Sequence, residues 1–306
     1  MTDSRMNFQD NAPKIPARIL CIGMPVRDLT FHTPGVPGRG SKENATAFDE
    51  ICGGNALNGA IGIARLGGRA SICGPMGDAK EASSRFIFDQ MAHEGIETKH
   101  LIHMPGLVTP ISAVMIDPSG ERTIVTFRDP ELWHVKLPDF DTLLDDCAAI
   151  LTESRCAEFC TELCAEAVRR GIPVIVDVDR AMSLREGLLN ASSHLVFSSE
   201  PLQETADVTD DAQALKKIAK LTPSFLAGTP GPEGHDLARR EREDPGDPGL
   251  PGAYGGHPRR RRRVPRRVCA GHHREAGIAA SAAIRLRRRS AEMHPLRRRF
   301  RRPATC

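Results

Sequence analysis

The 306-residue chain lacks any long hydrophobic run, and this absence excludes a membrane-spanning protein. No window approaches the roughly 18 consecutive apolar residues that a transmembrane helix needs. Residues 1–17 also carry no apolar run ahead of a small-residue cleavage site. We therefore expect a flexible N-terminus without a secretory signal, and a cytoplasmic location. With 40% hydrophobic and 26% charged residues, the composition is typical of a water-soluble globular protein.

The chain also lacks the cysteine spacing of a disulfide framework or a zinc site. Its nine cysteines stand at irregular intervals, and no two of them form a C-x-x-C pair. Cys156, Cys160 and Cys164 follow one another at the four-residue spacing of one helix face. We expect free thiols on or near a buried helix face. His103 and His134 are isolated, so we assign them no metal.

The net charge of +3 hides a change of composition near residue 234. Residues 1–234 hold 22 basic and 32 acidic side chains, a net charge of −10. Residues 235–306 hold 20 arginines, no lysine and seven acidic side chains, a net charge of +13. This second segment is rich in proline and arginine and poor in apolar residues. We expect it to be irregular or disordered.

Short apolar runs alternate with helical patterns up to residue 229. Alternating strands and helices predict a parallel sheet that is covered by helices on both faces. The turn sequence D-P-S-G at residues 117–120 separates two apolar segments, 111–116 and 123–127, and so predicts an antiparallel hairpin. The other predicted strands are 19–23, 70–73, 149–152, 174–178, 195–198 and 225–229, and the predicted helices are 55–66, 81–94, 157–170 and 211–221.

Three motifs are expected beyond the carboxyl ends of the strands, where ligands of parallel sheets bind. Asp28 follows the first strand, and its carboxylate could accept hydrogen bonds from substrate hydroxyls or simply form a turn. Residues 53–60 (GGNALNGA) open a helix, so they offer either free amides to a ligand or a plain glycine turn with an Asn cap. Residues 229–234 (TPGPEG) form a glycine loop that could lie along a nucleotide.

Together these motifs resemble those of the ribokinase-like sugar kinases, also called the PfkB family. The resemblance covers residues 18–234 and is most specific at residues 53–68; the segment 74–78 (GPMGD) and the hairpin also match. It implies a three-layer α/β fold with a mostly parallel sheet. A small β lid would form from strands at about residues 29–50 and 108–130. Lid sheets of this family often pair between subunits, so the resemblance allows a homodimer through the lid, although the sequence does not give the oligomeric state.

The resemblance further implies ATP-dependent phosphorylation of a sugar hydroxyl, with Mg²⁺ bridging the phosphates. The residues that would hold the sugar are Asp28, Gly53, Gly54, Asn55 and Asn58, and those that would line the ATP site are Thr229, Gly231 and Gly234. Where the family has N-x-x-E near the phosphates, this chain offers Ser198, Glu200 and later Glu204, so the acid that organises the metal stays open. Asp177 and Asp179 end a strand on the ligand side, where they either orient phosphates or pair with Arg180.

Two basic residues raise the question of an anionic substrate. Arg155 follows strand 149–152 on the substrate side, and Lys42 lies in the expected lid. The pair resembles the subgroup that contains sulfofructose kinase, which implies a sugar phosphate or sulfonate. The alternative is an ordinary surface arginine and a solvated lysine.

One family element, the catalytic segment D-T-x-G-A-G-D, is absent from these 306 residues. Its helix-opening amides stabilise the transferring phosphoryl group, and its last Asp takes the proton from the sugar hydroxyl. Codons compatible with residues 256–264, read from their second base, permit D-T-L-G-A-G-D-V. The next residues then permit F-H-G-A-F, as the family requires.

We therefore predict that the chain is a frameshifted translation from about residue 235. As written, it should turn over little or no substrate. The alternative is a non-catalytic sugar- or nucleotide-binding remnant whose arginine-rich tail binds nucleic acid or other polyanions. Against this alternative, the tail has only Tyr254 and Phe300 as aromatic residues for base stacking.

Overall fold

The structure is a computed structural model that describes residues 17–229. The predictions of a flexible start and of an irregular tail concern residues outside this range, apart from Ala17. Within it the chain forms eleven strands and seven α-helices. In chain order the strands are β1 (Arg18–Ile22), β2 (Val26–His32), β3 (Ala47–Gly53), β4 (Arg69–Met76), β5 (Glu97–His103), β6 (Ile111–Ile116), β7 (Arg122–Phe127), β8 (Cys147–Glu153), β9 (Val174–Val178), β10 (His194–Phe197) and β11 (Phe225–Gly228). The helices are α1 (Asn55–Arg65), α2 (Ala82–His93), α3 (Phe140–Leu144), α4 (Ala157–Arg169), α5 (Gly187–Asn190), α6 (Ser199–Ala206) and α7 (Asp211–Ile218).

Seven strands form a parallel sheet in the order β11-β10-β9-β8-β1-β4-β5. The alternation of side chains along β1 shows how its two faces are covered. Ile19 and Cys21 pack with α1 and α2, whereas Leu20 and Ile22 pack with α4 to α7. Helix, sheet and helix therefore form three layers, and the predicted three-layer α/β architecture with a mostly parallel sheet is confirmed.

The lid is a second sheet of four strands in the order β3-β2-β6-β7. Strands β2 and β6 run parallel, and β3 and β7 are antiparallel to their neighbours. Asp28 lies inside β2, so the interpretation of this residue as a loop residue or a turn former was wrong. The predicted hairpin is present as β6 and β7, joined by a turn in which the Gly120 amide donates to the carbonyl of Asp117 over 3.0 Å.

The three closely spaced cysteines pack in the core as expected. Cys156 precedes α4, Cys160 and Cys164 lie within it, and all three are at most 1% exposed. All three are free thiols.

Arg18, which is fully buried, links the amino-terminal parts of β1, β4 and β8 at the end of the sheet opposite the lid. The Arg18 guanidinium donates to Asp146 Oδ1 (2.8 Å), Ser71 Oγ (2.7 Å) and the carbonyls of Leu143 (2.7 Å) and Asp145 (2.6 Å). These partners precede or begin β4 and β8, the two neighbours of β1. A buried charge is tolerated only when it is paired and hydrogen bonded, as Arg18 is.

No helix between residues 17 and 229 is long and apolar enough to span a lipid bilayer.

Candidate functional site

A cavity of about 570 Å³ lies between the carboxyl ends of the parallel strands and the lid. Its lining comes from three lid strands, from the ends of β8 and β9, and from the first turns of α1 and α6. This is the edge at which parallel sheets bind ligands, and the volume is in the range of small-molecule sites.

The lid wall of the cavity is a row of polar side chains. Asp28 on β2, Ser112 on β6 and Thr126 on β7 stand opposite one another in the strand register, so all three point to one face. The hydroxyls of Ser112 and Thr126 are 3.0 Å apart. Burial raises the pKa of Asp28, while a hydrogen bond from Ser112 and the charge of Arg128 oppose that rise.

Glu153 lines the cavity from the sheet side, at the last position of β8. Its side chain is almost fully buried, with 5% exposure. Burial and the neighbouring carboxylate of Asp179 raise the pKa of Glu153 to about 7, against the opposing charges of Arg128 and Arg155. At neutral pH this group is therefore poised between acid and carboxylate, and so can either donate a hydrogen bond to a ligand or accept one.

The raised pKa of Glu153 predicts a pH-dependent stability. The pKa of Glu153 is about 7 in the folded chain, against an ordinary value of 4.5 that applies when the chain is unfolded. The free energy of unfolding should therefore fall as the pH rises from 4.5 to about 7. Replacing it by the neutral amide in Glu153→Gln should leave the free energy of unfolding unchanged near pH 4. At pH 8 the same variant should be about 3 kcal/mol more stable than the unsubstituted chain. Denaturant titrations at both pH values measure this difference.

The control for that prediction is Glu162→Gln, which changes an exposed carboxylate on α4. It should alter stability equally at pH 4 and pH 8. A Glu153→Gln variant that shows the same difference from the unsubstituted chain at both pH values would contradict a raised pKa.

Two arginines reach the cavity. Arg155 lies in a short 3-10 helix after β8 and donates from Nε to Asp179 Oδ2 over 2.8 Å. Arg128 directly follows β7 and is half-buried. Burial lowers the pKa of Arg155, but Asp179 and Glu153 together with Cys156 raise it, so that the net shift is upward and the guanidinium stays charged.

The first turn of α6 forms the other end of the cavity. Ser198 and Glu200 line it, whereas Ser199 is held by hydrogen bonds of 2.9 and 2.8 Å to the carboxylate of Asp211. Glu204 is exposed and does not line the cavity. Of the acids that the sequence left open for this region, Glu200 is therefore the one placed at the site.

The structure brings together only part of the predicted site. The predicted residues that line the cavity are Asp28, Gly54, Asn55, Arg155, Ser198 and Glu200. Gly53 lies behind Asp28, because a Cβ at that position would stand 2.0 Å from Asp28 Oδ2. Asn58 is buried in α1 away from the lining, with an Oδ1 atom that has no partner among residues 17–229.

Four further predicted residues fall outside the cavity or outside the described range. Lys42 is exposed and is not among the lining residues. Thr229 ends the described chain and donates from its amide and its hydroxyl to the carbonyl of Phe197, at 2.7 and 3.2 Å. Gly231 and Gly234 lie beyond the described residues.

Sequence reasoning missed Glu153 and Arg128. Both carried a usable signal, because each is the first charged residue at or after the end of an apolar strand that faces the ligand edge.

Within residues 17–229 no three His, Cys, Asp or Glu side chains are grouped so that they could hold a metal ion. His103 Nδ1 lies 3.3 Å from the carbonyl of Gly77, and His134 Nδ1 lies 3.3 Å from Glu131.

Comparison with known proteins assigns the chain that forms this cavity to a family. The family model described as pfkB family carbohydrate kinase matches residues 16–243. A fructokinase from Vibrio alginolyticus is 26% identical over 217 residues, which cover 63% of this chain and 67% of the relative. A 5-dehydro-2-deoxygluconokinase from Geobacillus thermodenitrificans is 30% identical over 173 residues, 52% of this chain and 47% of the relative. The matches thus span between about a third and two thirds of the lengths of the curated relatives.

Solved structures agree on the fold. A crystal structure of an Agrobacterium tumefaciens protein assigned as a ribokinase superposes with a TM-score of 0.68 at 28% identity, covering 75% of this chain and 74% of that one. Arabidopsis thaliana ribokinase in complex with ribose and ATP superposes with a TM-score of 0.56 at 20% identity, covering 70% and 71%.

Proposed function

The chain belongs to the pfkB family of carbohydrate kinases, and from this premise we propose that its cavity binds a sugar for phosphorylation of one hydroxyl by ATP. The observation that carries the proposal is the meeting of Asp28 on the lid with Gly54 and Asn55 at the start of α1. A hydrogen-bond acceptor and unused helix amides face one small cavity, and a polyol needs both. The fructokinase and ribokinase relatives support a sugar as the ligand.

Each of these residues has a distinct role toward the sugar. The Asp28 carboxylate accepts hydrogen bonds from sugar hydroxyls. The first amides of α1 have no partner within the helix, and no side chain caps them, so they can donate to sugar oxygens. Glu153 meets a further hydroxyl as donor or acceptor, since its pKa of about 7 allows either form.

ATP and Mg²⁺ are the cofactors that this reaction requires. Ser198 and Glu200 present a hydroxyl and a carboxylate to the cavity, and Asp177 and Asp179 add two more carboxylates at the end of β9. Mg²⁺ is bound in such sites through one or two carboxylates together with substrate phosphates, so this oxygen-rich wall fits a magnesium-bound nucleotide. When bound, ATP supplies the phosphoryl group that the sugar hydroxyl accepts. The ribokinase solved with ribose and ATP supports this assignment.

The chain as written carries no D-T-x-G-A-G-D segment, so the proposed kinase lacks its general base. We therefore propose that this polypeptide binds sugar while turning it over poorly. The frameshift from about residue 235, the sulfofructose kinase subgroup and the cytoplasmic location stay predictions.

Sugar binding tests the proposed function independently of turnover. Asp28→Asn removes the negative charge of the acceptor while keeping its shape. Because hydrogen bonds to charged groups are worth about 1.5–3 kcal/mol, the variant should bind D-fructose or D-ribose about 10- to 100-fold more weakly. Isothermal titration calorimetry of the full chain measures the change.

The matched control for sugar binding is Asp49→Asn, an exposed aspartate on β3 of the same lid sheet. It should leave sugar affinity unchanged. Equal affinity of the Asp28→Asn variant and the unsubstituted chain for every sugar that binds would remove the proposed site.

We also propose that the lid forms a homodimer with a second copy. The lid face opposite the cavity exposes apolar side chains on two strands: Phe48 on β3 (50% exposed), and Val125 (66%) and Phe127 (52%) on β7. Large apolar side chains exposed on one face of a sheet mark an interaction site.

A charged residue on this lid face should break the dimer. Across a two-fold interface each substitution occurs twice, so Val125→Asp should raise the dimer dissociation constant by about tenfold or more. Sedimentation equilibrium measures it, with Leu221→Asp as a control at an exposed apolar position away from the lid. A monomeric unsubstituted chain at high concentration would refute the dimer.

A further inference from the structure

Arg27 connects the lid to helix α2. It precedes Asp28 on β2, and because side chains alternate along a strand, it projects from the lid face opposite the cavity. Its guanidinium lies over the ring of Phe86, with Cζ 5.1 Å from the ring centroid, and Nη1 donates to Ser83 Oγ over 3.4 Å. Both partners belong to the first two turns of α2, a helix that packs on the central sheet.

The guanidinium of Arg27 is also held from within the lid. Glu50 on β3 stands on the same lid face and accepts a hydrogen bond from Nη2. Arg27 Nε is buried and has no hydrogen-bond partner between residues 17 and 229. The electron-rich face of Phe86 therefore offsets part of the cost of removing this charge from water. A cation that has lost much of its water is held more strongly by a ring than one on an open surface.

A second lid strand is attached to the same part of α2. Thr109, which is fully buried just before β6, donates from its amide to Glu81 Oε2 over 2.9 Å. The Thr109 hydroxyl lies 2.6 Å from Ser84 Oγ. Strand β2 carries Asp28 and strand β6 carries Ser112, so these attachments determine where the lid wall of the cavity stands relative to the start of α1.

We infer that Arg27 is a positioning residue for the sugar: its contact with Phe86 holds Asp28 at the distance from α1 at which one ligand meets both. This inference rests on the proposed function, because the lid and the start of α1 are the two walls proposed to bind the sugar. Arg27 does not line the cavity, so it acts through the lid. When the arrangement that binds a ligand is only partly populated, the apparent affinity falls in proportion to its population.

Sugar binding by substituted full-length chains tests this role. Arg27→Met keeps the apolar stem of the side chain but removes its charge, and Phe86→Leu removes the ring but keeps an apolar contact. Each variant should bind D-fructose or D-ribose about 3- to 30-fold more weakly in calorimetry. The double variant should bind no more weakly than the weaker single variant. Arg27→Lys should retain part of the affinity, because an ammonium group can also lie over the ring.

Hydrogen exchange measures the anchoring without any ligand. In the ligand-free Arg27→Met variant, peptides from β2 and β6 should exchange faster than in the unsubstituted chain, while peptides from β8 and β9 should not change. Unchanged exchange of the lid overturns the inference whether or not a sugar binds. Faster exchange of the lid in a chain that binds neither sugar would uphold the anchor and count against the proposed function alone.

The matched controls are Arg85→Met and Phe88→Leu, at exposed positions of the same helix. Both should leave the sugar affinity and the exchange of the lid unchanged. Losses of affinity that add in the double variant overturn the contact between Arg27 and Phe86. If Arg27→Met lowers the melting temperature but not the sugar affinity, Arg27 only stabilises the chain and the inference fails.

Discussion

A chain rebuilt in the alternative reading frame from residue 235 onward is expected to phosphorylate its sugar at least about 10⁴-fold faster than the chain as written. The rebuilt segment would regain D-T-L-G-A-G-D at residues 256–262. A general base contributes about 10²–10⁴ to the rate, and each amide that stabilises the transferring phosphoryl group about 10²–10³. The lower bounds of the two effects multiply to the expected factor.

A coupled assay of ADP release over a panel of sugars and sugar acids compares the two chains. As a control, the last aspartate of the regained motif is changed to asparagine in the rebuilt chain. This change should lower the rate again by about 10²–10⁴. The nucleotide sequence across the codons for residues 228–293, together with the intact mass of the protein, shows which frame is expressed. Ordinary kinase rates from the polypeptide as written would refute the prediction.

Gly54→Ala is expected to cost about 4 kcal/mol or more of stability and to abolish sugar binding. Gly54 caps the start of α1 with φ +91°, a conformation that side chains disfavour. A Cβ there would stand 2.4 Å from the carbonyl oxygen of Met24, which is backbone and cannot rotate away. The chain between β1 and β2 would have to move, and the cavity wall would move with it.

The other end of the same helix offers a matched control. Gly67 follows α1 with φ +79°, but a Cβ there would meet nothing within 4 Å. Gly67→Ala should therefore cost only the backbone strain, about 1–2 kcal/mol, and leave sugar binding intact. Denaturant titration and calorimetry on both variants measure the contrast. Equal costs at the two positions would show that the close approach to Met24 does not matter.

The sequence predicted well those elements in which one whole face, or both faces, are buried. The apolar run of β1 and the helical pattern of α1 belong to this class, and both appear within one or two residues of their expected ends. Strand β3 and strand β5 were not individually predicted. Their residues, AFDEICG and ETKHLIH, mix polar and apolar positions because these strands are only partly buried, and backbone pairing alone defines them. Helix α6 was hidden by a proline in its first turn.

The residues of the candidate site were likewise predicted only in part. Asp28 was found because it follows the strongly patterned strand β1, and residues 53–55 because they open the strongly patterned helix α1. Glu153 belongs to a strand that was itself predicted, and its role depends on burial and on the carboxylate of Asp179, which comes from the next strand. Arg128 belongs to the site because its charge opposes the rise in the pKa of Asp28 and of Glu153, which come from other strands. Neither property is visible before the strands are placed side by side.

The buried Arg18 finally bears on how the chain is made. The arginine leaves the ribosome early, but its carboxylate partner Asp146 follows 128 residues later. At about 5–20 residues per second, β1 waits about 6–26 s for β8, its neighbour in the sheet. During that interval the nascent chain can pair β1 with β4 and complete the lid hairpin, but the side of β1 that pairs with β8 stays open. The strand that is made first is therefore fixed on both sides only after more than half of the described chain has been synthesised.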